Sequence, residues 1–225
     1  MPLVLHSHPL SSYCWKVLIA LYETGAPFTA EMVNLGDPDA RAAYAALWPT
    51  CKIPLLQDGA KVVPETSVQI EYLDTHYPAA RPLLPRDEAA RLDARLWDRV
   101  SDFYVMTPMQ RIVDDRMRPE AERDPRAVTQ ARALLATAYG LIERNMAGKT
   151  WAAGGDFSIA DCAAAPALFY AGIVFPFPAG HPNLAAYFER LLARPSVARV
   201  ITEARPFFQY FPFNDLMPRR FLGDA

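Results

Sequence analysis

The sequence predicts a chain of two unlike parts, a small α/β domain followed by an all-helical one. Short β-branched runs alternate with helical patterns over residues 1 to about 77, and the remainder is helical in pattern throughout. Between the two lies Tyr77-Pro78-Ala79-Ala80-Arg81-Pro82-Leu83-Leu84-Pro85, whose three prolines cannot continue a helix. The expected division is therefore 1–78, a linker at 79–87, and 88–225. With 225 residues and 52% hydrophobic side chains, the chain has the apolar material for a full core.

In the first part, Leu3-Val4-Leu5 reads as a short buried strand. A helix follows with Cys14, Val17, Leu18, Leu21 and Tyr22 on one stripe, closed by Gly25 and Pro27. Phe28 to Val33 reads as a second strand. Asp37-Pro38 places an N-cap before an N1 proline and opens a short helix through Ala46. Ile53–Gln57 and Lys61–Val63 flank Asp58-Gly59-Ala60, a hairpin signature. Glu65 to His76 closes the domain with a helix carrying Val68, Tyr72 and Leu73 on one face. The order β-α-β-α-β-β-α, with the first two strands parallel and the last two antiparallel, is the thioredoxin-like fold. In the second part, Leu92, Leu96, Val100 and Phe103 form one apolar stripe, and Leu134, Leu135, Ala138, Leu141 and Ile142 another.

Composition excludes several function classes. Lys plus Arg total 23 and Asp plus Glu 25, so the net charge of −2 gives no basic face for nucleic acid. Cys14, Cys51 and Cys162 are far apart, and neither they nor the four histidines have metal-ligand spacing, so no metal is expected. The first residues lack a basic n-region and a long apolar core, so no signal peptide is expected. Cys162 to Gly180 carries no formal charge, but Pro166, Gly172, Pro176 and Pro178 interrupt it. It reads as a helix buried in a soluble bundle rather than a membrane span, and the protein as cytoplasmic.

Particular residues then carry a resemblance. Ser11-Ser12-Tyr13-Cys14-Trp15-Lys16-Val17 is similar to the Ser-Ser-x-x-Trp-Arg-Val signature of zeta-class glutathione transferases and their relatives, departing from it at Tyr13 and Cys14. Thr50-Cys51-Lys52-Ile53-Pro54-Leu55-Leu56 matches the family's Lys-Val-Pro-x-Leu segment, in which the proline is cis. Val63-Pro64-Glu65-Thr66-Ser67 resembles its Glu/Gln-Ser turn, and Ser158-Ile159-Ala160-Asp161 its capping box in the helical domain. The chain thus resembles the cytosolic glutathione S-transferase superfamily over essentially its whole length.

That resemblance implies a serine-type transferase with glutathione as cosubstrate, a small-molecule electrophile as partner, and a homodimer. Catalysis falls to Ser11, with Ser12 as the alternative. A hydroxyl at a helix N-terminus can donate to the glutathione sulfur and favour its thiolate, although serine at that place also serves simply as a cap. Ile53, ahead of cis Pro54, would hold the cysteinyl backbone, and Lys52 the glycyl carboxylate. Glu65 would meet the γ-glutamyl ammonium and Thr66 its carboxylate. Tyr104, Met106 and Met109 are candidates for an apolar electrophile pocket. Two further readings are a glutathione-dependent cis–trans isomerase of the maleylacetoacetate type and a non-catalytic binding protein of the same fold. A thiol oxidoreductase is disfavoured because Ser11 stands where its first cysteine would be. The aromatic run Arg205 to Phe213 is consistent with a cover over the site, a dimer seam or a pinned tail.

Overall fold

The computed structural model describes residues 3–223. Four strands form one mixed sheet in the order β2-β1-β3-β4: β1 (Leu3–Ser7), β2 (Phe28–Met32), β3 (Leu55–Asp58) and β4 (Lys61–Val63). β1 runs parallel to β2, with Leu5 opposite Ala30, and antiparallel to β3, with Leu5 opposite Leu56. β3 and β4 close as a hairpin in which Asp58 faces Lys61. Gly59 takes φ 60° in its two-residue loop, a conformation glycine adopts without a Cβ clash. The third strand begins two residues later than its pattern suggested, because the Ile53–Pro54 bond is cis and turns the chain just before it.

Helix α1 (Ser12–Thr24) crosses from β1 to β2, α2 (Pro38–Leu47) follows β2, and α3 (Thr66–His76) follows β4. Asp37 caps α2 by accepting from the Ala40 N–H at 2.8 Å. Gly25, at φ 69°, ends α1 in the left-handed conformation that such C-caps need. The second domain holds α4 (Glu88–Val100), a π-helical segment (Ser101–Met106) and α5 (Thr107–Met117) as one continuous rod. α6 (Pro125–Asn145), α7 (Ile159–Val174), α8 (Pro182–Ala193) and α9 (Pro195–Ala204) complete the bundle, followed by short helical turns and α10 (Arg219–Leu222). The π-helical turn has a local cause. Pro108 has no N–H to offer the Tyr104 carbonyl, and the Thr107 N–H and hydroxyl both reach back to the Asp102 carbonyl instead.

Helix α1 is not amphipathic in its burial. Residues Cys14 through Leu21 are all buried, because α3, α7 and α9 cover the faces the sheet does not. α7 is buried almost all round at the centre of the bundle, as its uncharged sequence implies. Among the described residues, no helix is long and apolar enough to cross a membrane.

Three predicted apolar faces turn out differently. On α4 and its continuation, Leu92, Leu96 and Phe103 are 70%, 54% and 54% exposed, and of that stripe Val100 alone is buried. The face that packs inward is Ala94, Asp98, Ser101, Asp102 and Val105. Polar residues go inside there because Lys16 of α1, with no exposed surface, stands opposite. Likewise α3 buries Gln69, Ile70 and Leu73 while Val68 is 53% exposed. On α6 the inward face is Ala131, Leu135, Ala138, Tyr139 and Ile142, leaving Leu134 on the outside.

Candidate active site

A cleft of about 290 Å³ opens where the cis-proline turn, the N-terminal ends of α1 and α3, and the π-helical segment meet. Lys52, Ile53, Pro54, Glu65 and Thr66 all line it. Neither backbone polar group of Ile53 enters a hydrogen bond among the described residues. The turn is braced from behind. The Tyr44 hydroxyl donates to the Lys52 carbonyl at 2.8 Å, and the buried Gln69 amide to the Pro54 carbonyl at 2.9 Å. Glu65 sits at φ 66° and ψ 117°, a region costly for a residue with a Cβ, by about 1–3 kcal/mol. Strain of that kind persists where the surroundings impose a geometry, and here it delivers the carboxylate and the first N–H groups of α3 to one wall.

The serines lie differently. Ser11 is the N-cap of α1, its Oγ accepting from the Cys14 N–H at 3.3 Å. Ser12 is buried and lines a separate apolar hollow of about 220 Å³, together with Met109, Val113 and Phe211. Neither serine lines the cleft; from this turn of α1 it is Tyr13 that does. Of the three electrophile-pocket candidates, Met109 lines the hollow, Met106 is fully buried in the core, and Tyr104 is exposed and lines neither space. The aromatic run near the end contributes Tyr210, Phe211 and Pro212 to the hollow.

Pro64 also lines the cleft, as do Tyr13, Trp48, Arg99, Asp102 and Phe103, none of which the pattern singled out for the site. Behind it lies a buried ionic cluster. Lys16 Nζ sits 2.6 Å from Asp98 Oδ1 and 2.7 Å from Asp102 Oδ2, and donates to Ser67 Oγ at 3.0 Å. Ser67 in turn donates to Asp98 Oδ2 at 2.7 Å, and the Arg99 guanidinium bonds both carboxylates and Ser67. Two cations against two anions make the group neutral, which is what a buried site requires. The signal was present in the sequence as a lysine inside an otherwise apolar helical run, facing an Asp-x-x-x-Asp pair. Burial raises the pKa of Asp102, with Lys16 opposing, and its Oδ1 is without a partner among the described residues.

Two of the three thiols are inert. Burial pushes Cys14 up to about 12 and Cys162 well above its usual value, so neither ionises near neutrality. No group of residues among those described is arranged to hold a metal ion. A larger space, about 830 Å³, lies at the far end of α1 beside Glu23 and Arg194. Those two charges pair with each other there at 2.6 Å.

A thioredoxin-like domain whose cis-proline turn faces a helix N-terminus, joined to a helical bundle, defines a class of thiol-handling proteins. Residues 10–76 match the family model described as glutathione S-transferase, N-terminal domain, and residues 122–190 that of the C-terminal domain. A solved glutathione S-transferase of Methylobacterium radiotolerans, in complex with glutathione sulfonate, is 31% identical with a TM-score of 0.78, covering 89% of this chain and 94% of that one. Glutathione S-transferase A of Pleuronectes platessa is 27% identical, over 82% of this chain and 84% of its own length. A probable maleylacetoacetate isomerase of Caenorhabditis elegans is 34% identical over 92 residues, 41% of this chain and 42% of that protein. The chain belongs to the glutathione S-transferase family.

Proposed function

We propose that this protein binds glutathione in the cleft, stabilises its thiolate and transfers the sulfur to an electrophile. The observation that carries the reading is convergence. The free backbone groups of Ile53 and the N-terminal ends of α1 and α3, neither with an acidic residue in its first turn, face one space. An extended tripeptide pairs with Ile53 as an added strand. The α3 N-terminus and Thr66 receive the γ-glutamyl carboxylate, Glu65 its ammonium, and Lys52 the glycyl carboxylate. The cysteinyl sulfur then points toward the start of α1, where the O–H of Ser11 and the helix dipole favour the anion. Activation of the nucleophile and proximity supply the rate.

Absorbance of bound thiolate, titrated against pH, tests this. The native protein is expected to show a thiolate at neutral pH, and Ser11→Ala to move its midpoint up toward that of free glutathione. Binding without thiolate would leave a binding protein, and a signal lost only in Ser12→Ala would transfer the role to that residue. The isomerase reading, favoured by the local match to the nematode protein, predicts turnover without net consumption of glutathione.

We also infer a homodimer, supported by the family resemblance and by the exposed apolar side chains Val68 on α3 and Leu92 and Leu96 on α4. Light scattering is expected to give twice 25.1 kDa.

A further inference from the structure

The loop between β1 and α1 decides where Ser11 stands, and its polar groups can be followed one by one. Pro9 has no N–H. The Leu10 N–H donates to His8 Nδ1 at 3.2 Å, and the Ser11 N–H to the His8 carbonyl at 3.0 Å. Both N–H groups between Pro9 and α1 therefore end on His8. The His8 N–H in turn donates to Cys14 Sγ at 3.5 Å, and Trp15 Nε1 to the Pro9 carbonyl at 2.6 Å. The residue immediately before Ser11 is thus held by an imidazole. To accept, Nδ1 must carry no proton, so the ring is neutral with its hydrogen on Nε2. Phe207, from the aromatic run near the end of the chain, stands edge-on to that ring at 6.3 Å. Burial lowers the His8 pKa from its ordinary 6.5, so the ring is neutral at pH 7. The titratable group on its backbone, the Cys14 thiol, is neutral there as well.

We infer that His8 is a positioning residue for Ser11: its neutral ring, by accepting from the Leu10 N–H, fixes the turn that brings the Ser11 hydroxyl to the sulfur of bound glutathione. The inference rests on the glutathione reading above, with Ser11 as the activator. His8 does not line the cleft, so its influence passes through the loop. Ser11 Oγ accepts from the Cys14 N–H at 3.3 Å, which ties the hydroxyl to α1 on one side. The His8 ring fixes the chain on the other side. A hydroxyl tied at one side alone still caps the helix, but its direction toward a sulfur is no longer set. The ring changes no charge and forms no bond to the tripeptide; what it contributes is orientation.

The test titrates the bound-glutathione thiolate in native protein, His8→Phe, His8→Asn, Ser11→Ala and the double variant His8→Phe/Ser11→Ala. His8→Phe keeps a ring against Phe207 and removes the acceptor. It is expected to raise the thiolate midpoint by about half to one pH unit. His8→Asn offers an amide oxygen to the N–H two residues on, and should bring the midpoint back toward the native value. In the Ser11→Ala background, His8→Phe should move the midpoint no further, since the two act as one unit. Affinity for S-methylglutathione, which has no thiol to ionise, should stay where it was. Nitrogen NMR of the native protein should find the His8 ring hydrogen on Nε2. An unchanged midpoint in His8→Phe would overturn the inference, as would an equal shift in both backgrounds or no recovery in folded His8→Asn. So would a ring hydrogen on Nδ1, or a loss of S-methylglutathione affinity that matches the midpoint shift. A midpoint unmoved by Ser11→Ala alone sinks the serine reading, and a native protein with no saturable thiolate signal sinks the glutathione reading; each is a distinct failure.

Discussion

Three helix N-termini in this molecule obey the same physics and end in different states. α7 begins at Ser158, and Asp161 from its own first turn closes that end. Asp161 accepts from the Ser158 N–H at 2.9 Å, the Ala152 N–H at 2.9 Å and the Tyr187 hydroxyl at 2.6 Å, all away from solvent. α9 is closed from outside by Glu23 of α1, which bonds Ser196 at 2.5 Å and the Arg194 guanidinium in a fork. α1 has only the Ser11 cap and no carboxylate in its first turn. An N-terminus that has its own anion is spent on structure; one without it keeps N–H groups and partial positive charge for an outside anion. In the function proposed above, that difference separates the scaffold from the site.

The largest expected effect comes from breaking a closed end. Asp161→Ala removes the acceptor for several buried donors and should cost about 3–5 kcal/mol in urea unfolding. The protein that remains folded should keep its bound-thiolate midpoint, since that end does not face the cleft. A shifted midpoint would show the two ends to be coupled.

Glu23→Gln is a smaller break, with a pH signature. Burial alone would raise the Glu23 pKa, but the bonds from Arg194 and Ser196 outweigh it and hold the group below its usual 4.5. A depressed carboxylate contributes stability that is fully present above the unfolded value and lost as pH falls through the folded one. The stability difference between native protein and Glu23→Gln should therefore be about 1–2 kcal/mol at neutral pH. It should shrink steadily below the usual value of 4.5. A gap that stays constant from neutral to acid would mean that packing, not charge, is what Glu23 supplies.

Least of all in stability is the open end. Ser11→Ala removes one cap bond and should cost about 1 kcal/mol. A cost as large as that of Asp161→Ala would erase the distinction between the two kinds of terminus.

Much of this was legible from local pattern. Asp37-Pro38 announced α2, Gly25 the end of α1, Asp58-Gly59-Ala60 the hairpin, and Ser158 with Asp161 the start of α7. The same holds for Lys52 to Pro54 and Glu65 to Thr66, which line the cleft as two short contiguous segments. Such features are decided within a few residues, so adjacent letters suffice to read them. The stripe Leu92, Leu96, Phe103 misled because periodicity finds an apolar face and not its direction. Tyr13, Arg99 and Asp102 were missed because nothing near them in the chain shows what stands across the cleft.

The sequence by itself determined the element order, the change from mixed sheet to helices, the caps and the two segments that form the cleft's near wall. These follow from backbone preferences and short-range hydrogen bonds. Only the tertiary structure decided that Lys16 would be buried between Asp98 and Asp102, that Tyr13 rather than either serine would line the cleft, and that an apolar stripe would face outward. Each of those depends on which helix lies opposite, and burial of a charge becomes tolerable only when its partner arrives from another part of the chain.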